Sequence, residues 1–153
     1  MTPTFSEGSI VRIKDYVFED GTTRDKYLIV LHNDASEAVI IHSLTTSKQK
    51  FAVEKEFLGC NVYKKGNYSI PYYLFPENKI LDDDTQFYFD VDTYIFFLNN
   101  TTQTSIDNLR KYNSQPFGLV ELGKLSDSEL KRLIKCVLKS DFVPENIKKI
   151  LGQ

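Results

Sequence analysis

The sequence predicts a mainly β (α+β) protein, with a small antiparallel β-barrel over about residues 8–98 and a helical part over about residues 126–151. Short β-prone runs separated by turn residues fill the first part, and the strongest helical pattern lies near the C-terminus. The 153 residues, 41% of them hydrophobic, are enough to close one core, so residues 1–153 are expected to form a single domain.

Three apolar runs near the N-terminus predict the first three strands. Residues 10–14 alternate as a half-buried strand does, residues 27–31 form a continuous apolar run that is expected to be buried on both faces, and residues 38–44 form the next run. Residues 19–21 and 33–34 supply the turns, because Gly, Asn and Asp tolerate turn conformations. Consecutive strands are expected to pair as an antiparallel meander.

The middle of the chain gives a weaker pattern. Residues 54–79 are predicted to be an irregular excursion with short strands, because Gly and Pro interrupt every periodic run there. Residues 86–90 and 93–98 are β-prone and aromatic, so they form either one bent strand or a tight pair. Residues 99–105 are polar and of low complexity, which predicts a surface loop.

The C-terminal part carries two helix signals. Ser126 and Glu129 have the spacing of a capping box, and five apolar residues follow as one stripe, which predicts a helix from Asp127 to about Lys139. The stripe consists of Leu130, Leu133, Ile134, Val137 and Leu138. A second, shorter helix is expected to start at Pro144, with one apolar face of Ile147, Ile150 and Leu151.

Composition and charge limit the classes of function. The net charge of −2 and pI near 5.7 disfavour broad electrostatic capture of nucleic acid, so any RNA contact must be local. No apolar run is long enough for a membrane helix and no secretion signal is evident, so the expected compartment is the cytoplasm, with no membrane partner. Cys60 and Cys136 lack metal-type spacing and are expected to be reduced thiols.

Common enzyme signatures are missing from the sequence. It contains no Gly-rich phosphate loop, no His-Glu-x-x-His and no Gly-x-Ser-x-Gly. We therefore expect no cofactor and no metal site. The consecutive residues Asp82, Asp83 and Asp84 are interpreted as a solvated acidic loop, and the many Tyr and Phe residues between positions 60 and 98 mainly as core.

Residues 8–47 carry the most informative pattern. The chain reads Gly8-Ser-Ile-Val, then Phe18-Glu-Asp-Gly, then Lys26-Tyr-Leu-Ile-Val-Leu, and a third strand that ends near Thr45. This order resembles the opening of the MazF/PemK family of toxin endoribonucleases, which has a Gly-Asp-Ile-Val-type strand, a Phe-Glu-Asp-Gly-type loop, an Arg-Pro-x-x-Val-Leu strand and a strand-ending Thr. Where the family has Arg-Pro, this chain has Lys26-Tyr27.

The resemblance implies a fold, an activity and partners. The fold would be an SH3-like barrel and the assembly a homodimer. The activity would be metal-independent cleavage of single-stranded RNA by the toxin of a type II toxin–antitoxin system, neutralised by an antitoxin protein.

Three residues are the predicted catalytic groups. Lys26 aligns with the family's Arg and offers charge to a phosphate, though not the planar fork of a guanidinium. Arg24 lies two residues before Lys26, so in an extended strand both side chains project from the same face. Thr45 aligns with the family's Thr and would hold a phosphate oxygen. The alternative reading is that these are solvated charges and turn hydroxyls.

Four further residues are predicted to bind substrate: Thr46, Ser47, Lys48 and His32. The other histidine, His42, is assigned a structural or surface role.

If catalysis was lost with the family's Arg, the protein is instead a catalytically inactive SH3-like barrel module that recognises a protein or peptide. A third possibility, a small-molecule hydrolase, has no supporting motif.

Overall fold

The computed structural model describes residues 4–17, 20–42, 45–46, 59–97, 100–111 and 118–152. Of these residues, 46% lie in strands and 21% in helices, and both sheets are antiparallel. The predicted mainly β fold with C-terminal helices is confirmed.

The described residues form nine strands and three helices. In chain order they are β1 (Ser9–Val17), β2 (Thr23–Asn33), β3 (Glu37–His42), β4 (Thr45–Thr46), β5 (Gly59–Lys65), β6 (Tyr68–Phe75), β7 (Thr93–Phe96), β8 (Thr101–Ser105), α1 (Ile106–Arg110), β9 (Leu119–Lys124), α2 (Asp127–Leu138) and α3 (Glu145–Leu151). One sheet has the order β8-β3-β2-β1-β9 and the other β4-β7-β6-β5. The ladders between described strands leave both sheets open, so they do not close into a barrel.

The predicted meander of the first three strands is confirmed. Ile29 of β2 lies opposite both Ile10 of β1 and Ile41 of β3. Gly21 adopts φ 83° in the turn between β1 and β2, a conformation that glycine tolerates without strain. The Asp34 carboxylate holds the next turn, because it accepts the backbone N–H of the first residue of β3 at 2.8 Å.

The prediction of an irregular excursion with short strands is confirmed in part for the described part of residues 54–79, which contains strands but is regular. β5 and β6 form a regular hairpin around Gly66, which has φ 61°. Pro71 lies inside β6 although it has no backbone N–H, because the Phe97 carbonyl opposite it has another donor. The Pro71 carbonyl accepts the N–H of Phe97 at 3.4 Å, and the Phe97 carbonyl accepts a hydrogen bond from Ser140 Oγ at 2.6 Å.

Two other predictions for the middle of the chain are wrong. The expected surface loop at 99–105 contains β8, which forms the edge of the five-stranded sheet by pairing with β3. The expected strand at 86–90 is absent, and Phe87 makes only an isolated bridge to Asp82. The predicted strand at 93–98 is confirmed in part, because β7 covers Thr93–Phe96. Residue 98 lies outside the described residues. Neither α1 nor β9 was predicted.

Both C-terminal helices are present near the predicted bounds. Ser126 caps α2, since its hydroxyl accepts the N–H of Glu129 at 3.2 Å. Pro144 is the residue before α3 rather than its first residue. Leu133 and Val137 of α2 are fully buried in the core, which confirms the predicted stripe.

The main core fills the space between the two sheets and the two C-terminal helices. It contains Ile29 and Leu31 of β2, Tyr73 and Phe75 of β6, and Leu133 of α2. Leu28 and Val30 instead belong to a second cluster on the opposite face of the five-stranded sheet. The predicted burial of residues 27–31 on both faces follows from this arrangement, and most of the aromatic residues are buried, as expected.

The two cysteines form a disulfide, so the prediction of reduced thiols is wrong. Cys60 of β5 and Cys136 of α2 have Cα atoms 5.6 Å apart and are 76 residues apart in the chain. Their sequence spacing carried no signal, because only the packing of α2 against β5 brings them together. None of the described helices is long and apolar enough to cross a membrane.

A buried carboxylate joins α2 to β6. Glu129 is 5% exposed and accepts hydrogen bonds from Tyr73 Oη at 2.7 Å, Lys79 Nζ at 3.2 Å and Arg132 Nη2 at 2.5 Å. Burial acts to raise the pKa of Glu129, but the hydrogen bonds from Tyr73, Arg132 and Lys79 outweigh it and leave the pKa below its ordinary value of 4.5. The Glu129 side chain therefore bonds to the sheet instead of completing the predicted capping box.

We expect Glu129→Gln to lower the free energy of unfolding by about 1 kcal/mol at pH 7, because the charged acceptor is replaced by a neutral one. A lowered folded-state pKa stabilises the fold above the unfolded-state pKa, and this contribution is lost as the pH falls through the folded-state value. The difference between wild type and variant should therefore shrink below about pH 4.5. Urea unfolding at pH 7 and pH 3.5 measures this difference in the free energy of unfolding. Glu145→Gln, at an exposed carboxylate, is the matched control and should change little at either pH.

Candidate functional site

A cleft opens on the outer face of the five-stranded sheet, beside α1. It has a volume of about 510 Å³, and we call it the sheet cleft. Its described lining residues are Ile13, Lys26, Leu28, Ile40, His42, Thr102, Thr104, Asn108, Leu109 and Lys111.

Strand register places these side chains together. Lys26 lies opposite Ile13 in the β1–β2 ladder, and His42 lies opposite Leu28 in the β2–β3 ladder. Thr102 of β8 lies opposite Ile40 of β3 in the same way. Directly opposed residues project from the same face of a sheet, so four adjacent strands contribute to one surface.

The polar lining favours an anionic ligand. The described lining residues supply two ammonium groups from Lys26 and Lys111, one imidazole, two hydroxyls and one amide, and none of them carries a carboxylate. Ammonium and hydroxyl groups are common donors to phosphate oxygens. The apolar floor gives such a ligand a second kind of contact, with a base or another flat apolar group.

His42 is half-buried at the end of β3, and its backbone N–H donates to the Asn100 carbonyl at 2.9 Å. Burial lowers the pKa of His42, and the nearby positive charge of Lys26 lowers it further. The imidazole is therefore neutral at pH 7 and can accept a proton. The predicted role of His42 was structural or at the surface. Its place in the cleft follows from strand register, which sets it opposite Leu28, two residues beyond Lys26 on β2.

Lys26 lies in the cleft and also contacts an aromatic ring. Its Nζ atom is 4.5 Å from the centroid of the Tyr16 ring. A cation–π contact of this kind is worth about 0.5–1 kcal/mol at a partly exposed site. The contact holds the ammonium group beside the Tyr16 ring.

Arg24 is not among the described lining residues, although it is close to them. It lies opposite Tyr16 and two residues before Lys26 on β2. The two side chains share one face of the strand, with Cα atoms about 7 Å apart from the strand rise. Arg24 is exposed and lies on the same face of β2 as Lys26, outside the described lining of the cleft.

The structure places Thr45 and Thr46 in the other sheet. They form β4, in which Thr45 lies opposite Tyr94 and Thr46 opposite Thr93. Thr45 follows His42 by three residues, so their Cα atoms are at most about 11 Å apart. Their side chains, and all of Ser47 and Lys48, lie outside the described residues.

His32 is not in the sheet cleft. Its Nδ1 atom lies 3.1 Å from Glu7 Oε2, and both residues line a different groove beside α2 and α3. His32 lies six positions beyond Lys26 on β2, a distance of about 20 Å along an extended strand. The structure therefore separates His32 from the other predicted site residues that it describes.

The described residues contain no group of three or more His, Cys, Asp or Glu side chains that could hold a metal ion. No protein-family model, curated protein or solved structure matches the chain.

Proposed function

We propose that the protein is a MazF-like toxin of a type II toxin–antitoxin system, a metal-independent endoribonuclease that cuts single-stranded RNA in the sheet cleft. The observation that carries the proposal is the position of Lys26. This residue, which aligns with the family's Arg, lies in a cleft with a neutral imidazole and a second ammonium group, and no carboxylate is among the described lining residues.

The proposed reaction uses the substrate's own hydroxyl as nucleophile. The ribose 2′ oxygen forms a bond to phosphorus, and the bond from phosphorus to the 5′ oxygen breaks. His42 accepts the proton of the 2′-hydroxyl, and the leaving 5′ oxygen takes a proton from water. The products are a 2′,3′-cyclic phosphate and a 5′-hydroxyl.

Lys26 is assigned the stabilisation of negative charge on the phosphoryl oxygens in the transition state. Arg24 adds positive charge on the same face of β2 as Lys26, and Thr45 is proposed to hold a phosphate oxygen. Thr46, Ser47 and Lys48 would extend the substrate path. His32 has no role in the proposed reaction, because it lines the groove beside α2 and α3.

One observation favours the alternative, a catalytically inactive binding module that recognises a protein or peptide. The ammonium of Lys26 already has a partner in the Tyr16 ring, so its charge has a structural role without any substrate. Lysine also lacks the bidentate geometry of the family's Arg. The two candidates differ in whether the protein turns over RNA.

Incubation of the purified protein with a mixed pool of single-stranded RNA in EDTA tests the proposal. We expect fragments that carry 2′,3′-cyclic phosphate and 5′-hydroxyl ends. RNA that stays intact at micromolar protein, without an antitoxin, rejects the enzyme and favours the binding module. Pools with 2′-deoxy substitutions should resist cleavage, because the nucleophile is then missing.

Four further proposals accompany this function. The resemblance supports an antitoxin partner and a homodimer, and light scattering at micromolar concentration measures the mass. A cytoplasmic location follows from an RNA substrate, although disulfides are rare in that compartment. We also propose that the fold is an opened form of the SH3-like barrel, because β3 and β4 follow one another in the chain but belong to different sheets.

A further inference from the structure

The β3–β8 ladder places Asn100 beside His42. The backbone N–H of His42 donates to the Asn100 carbonyl at 2.9 Å, and the preceding residue Ile41 lies opposite Thr101. His42 therefore has two directly opposed neighbours, Leu28 on β2 and Asn100 just before β8. Directly opposed residues project from the same face of a sheet, with Cα atoms about 5.5 Å apart. The Asn100 side chain thus lies on the cleft face, within reach of the imidazole.

The side-chain oxygen of Asn100 is buried. Asn100 is 9% exposed, and its Oδ1 atom has no hydrogen-bond partner among the described residues. Within the same part of the chain, Arg12 Nε and Thr101 Oγ1 are the other buried side-chain polar atoms without a partner. Arg12 Nε is a donor, and Thr101 projects from the opposite face together with Ile41. Of these three atoms, only Asn100 Oδ1 is an acceptor on the face that carries His42.

A buried acceptor without a donor destabilises the folded protein, so it calls for a role in another state of the site. A general base passes through such a state. A neutral imidazole carries one N–H, and the imidazolium that forms when it takes a proton carries two. Hydrogen bonds of a catalytic base are often incomplete without substrate and form only in the complex. The Asn100 oxygen can then accept an N–H of His42.

The other charged groups that face His42 cannot take this role. Lys26 of β2 and Lys111 of α1 line the cleft with it, and none of the described lining residues carries a carboxylate. An ammonium group has no acceptor and repels an imidazolium. Leu28, the second opposed neighbour, is apolar, so Asn100 is the directly opposed residue that can accept a hydrogen bond.

We propose that Asn100 is a positioning residue, whose side-chain oxygen accepts a hydrogen bond from the His42 imidazole as that ring takes the proton of the ribose 2′-hydroxyl. The inference rests on the proposed function, in which His42 is the general base. The bond turns the other ring nitrogen toward the substrate and stabilises the imidazolium. Asn100 does not touch the substrate, so its effect lies in the rate of the chemical step and not in substrate binding.

The pKa of His42, measured by NMR without RNA, tests the contact. Asn100→Leu keeps the shape of the side chain but removes the acceptor, and should lower the pKa of His42 by about one pH unit, because a hydrogen bond to the charged form is lost. Asn100→Asp should raise this pKa above the wild-type value, because a carboxylate accepts the bond and attracts the imidazolium.

Gln103→Leu is the matched control. The Gln103 amide also belongs to the β8 segment, but it projects from the opposite face with Val39 and donates to Glu37 Oε2 at 2.7 Å. This variant should leave the pKa of His42 unchanged.

Steady-state cleavage of a defined RNA gives the second readout. Asn100→Leu should lower kcat by about tenfold or more with KM unchanged, and should shift the rise of kcat/KM with pH to lower pH by the same amount as the pKa of His42. Its melting temperature should not fall, because Asn100 Oδ1 has no bond to lose among the described residues.

The outcomes separate this inference from the nuclease itself. A pKa of His42 that is unchanged in both Asn100 variants overturns the proposal even if RNA is cut. A lowered pKa with unchanged kcat overturns it as well, because the contact then has no part in the reaction. RNA left uncut by the wild type rejects the proposed function instead, and a lowered pKa in Asn100→Leu then still supports the contact.

Discussion

Replacement of Lys26 with alanine is expected to lower the rate of RNA cleavage by about a hundredfold or more, because a cationic donor that acts on developing charge is removed. Stability should fall by only about 0.5–1 kcal/mol, the value of its contact with the Tyr16 ring. Lys26→Arg is expected to preserve or raise the rate, since a guanidinium restores bidentate contacts with phosphate. Single-turnover cleavage of a defined RNA in EDTA measures all three rates.

Lys64→Ala is the matched control for this experiment. Lys64 is an exposed lysine of β5, in the other sheet, and does not line the sheet cleft. Its removal should leave the cleavage rate within twofold. Equal rates for wild type and Lys26→Ala would show that Lys26 takes no part in the reaction.

Loss of the disulfide should have the largest effect on stability. Cys60 and Cys136 close a loop of 76 residues, and the chain-entropy model gives a stabilisation of about 4.5 kcal/mol for such a loop. We expect reduction with a phosphine, or the variant Cys60→Ala, to lower the free energy of unfolding by about this amount. Urea unfolding with and without reductant measures the change.

The same variant supplies the control for the reductant. Cys60→Ala has no disulfide to reduce, so its unfolding midpoint should be the same with and without phosphine. Alkylation of the unreduced, denatured wild-type protein should leave its mass unchanged. Incorporation of two alkyl groups would show that the thiols are reduced and would contradict the disulfide.

The elements that the sequence predicted well are those with local signals. The start of α2 follows from the Ser126 hydroxyl, which caps the helix as the spacing to Glu129 indicated. The turn at Asp34 likewise follows from side-chain bonds to nearby backbone. Such contacts join residues two or three positions apart, so sequence patterns report them directly.

The elements that were missed depend on contacts between distant residues. Thr101 to Ser105 have the composition of a loop, but they become a strand because β3 offers an open edge. Pro71 has the local signal of a strand break. In the structure, Ser140 Oγ donates a hydrogen bond to the Phe97 carbonyl, which Pro71 cannot do because it has no N–H. Burial and pairing of this kind override local propensity.

The candidate site likewise combines residues that a local pattern predicted with residues that only contacts between distant strands bring in. Lys26 and Arg24 lie on one face of β2, as their spacing predicted. His42 joins them only through the β2–β3 register, and Thr102 only through β8. Thr45 enters the other sheet because β4 pairs with β7, a choice that the sequence of the third strand does not specify.

The central claim is that a phosphodiester ligand occupies the sheet cleft. Titration of the ¹⁵N-labelled protein with a short single-stranded RNA, methylated at its 2′ oxygens so that it cannot be cut, tests this claim most directly. We predict amide chemical-shift changes at Lys26, His42, Thr102 and Asn108, which are much reduced in Lys26→Ala. Changes confined to residues outside the sheet cleft, or none at millimolar RNA, would contradict the claim.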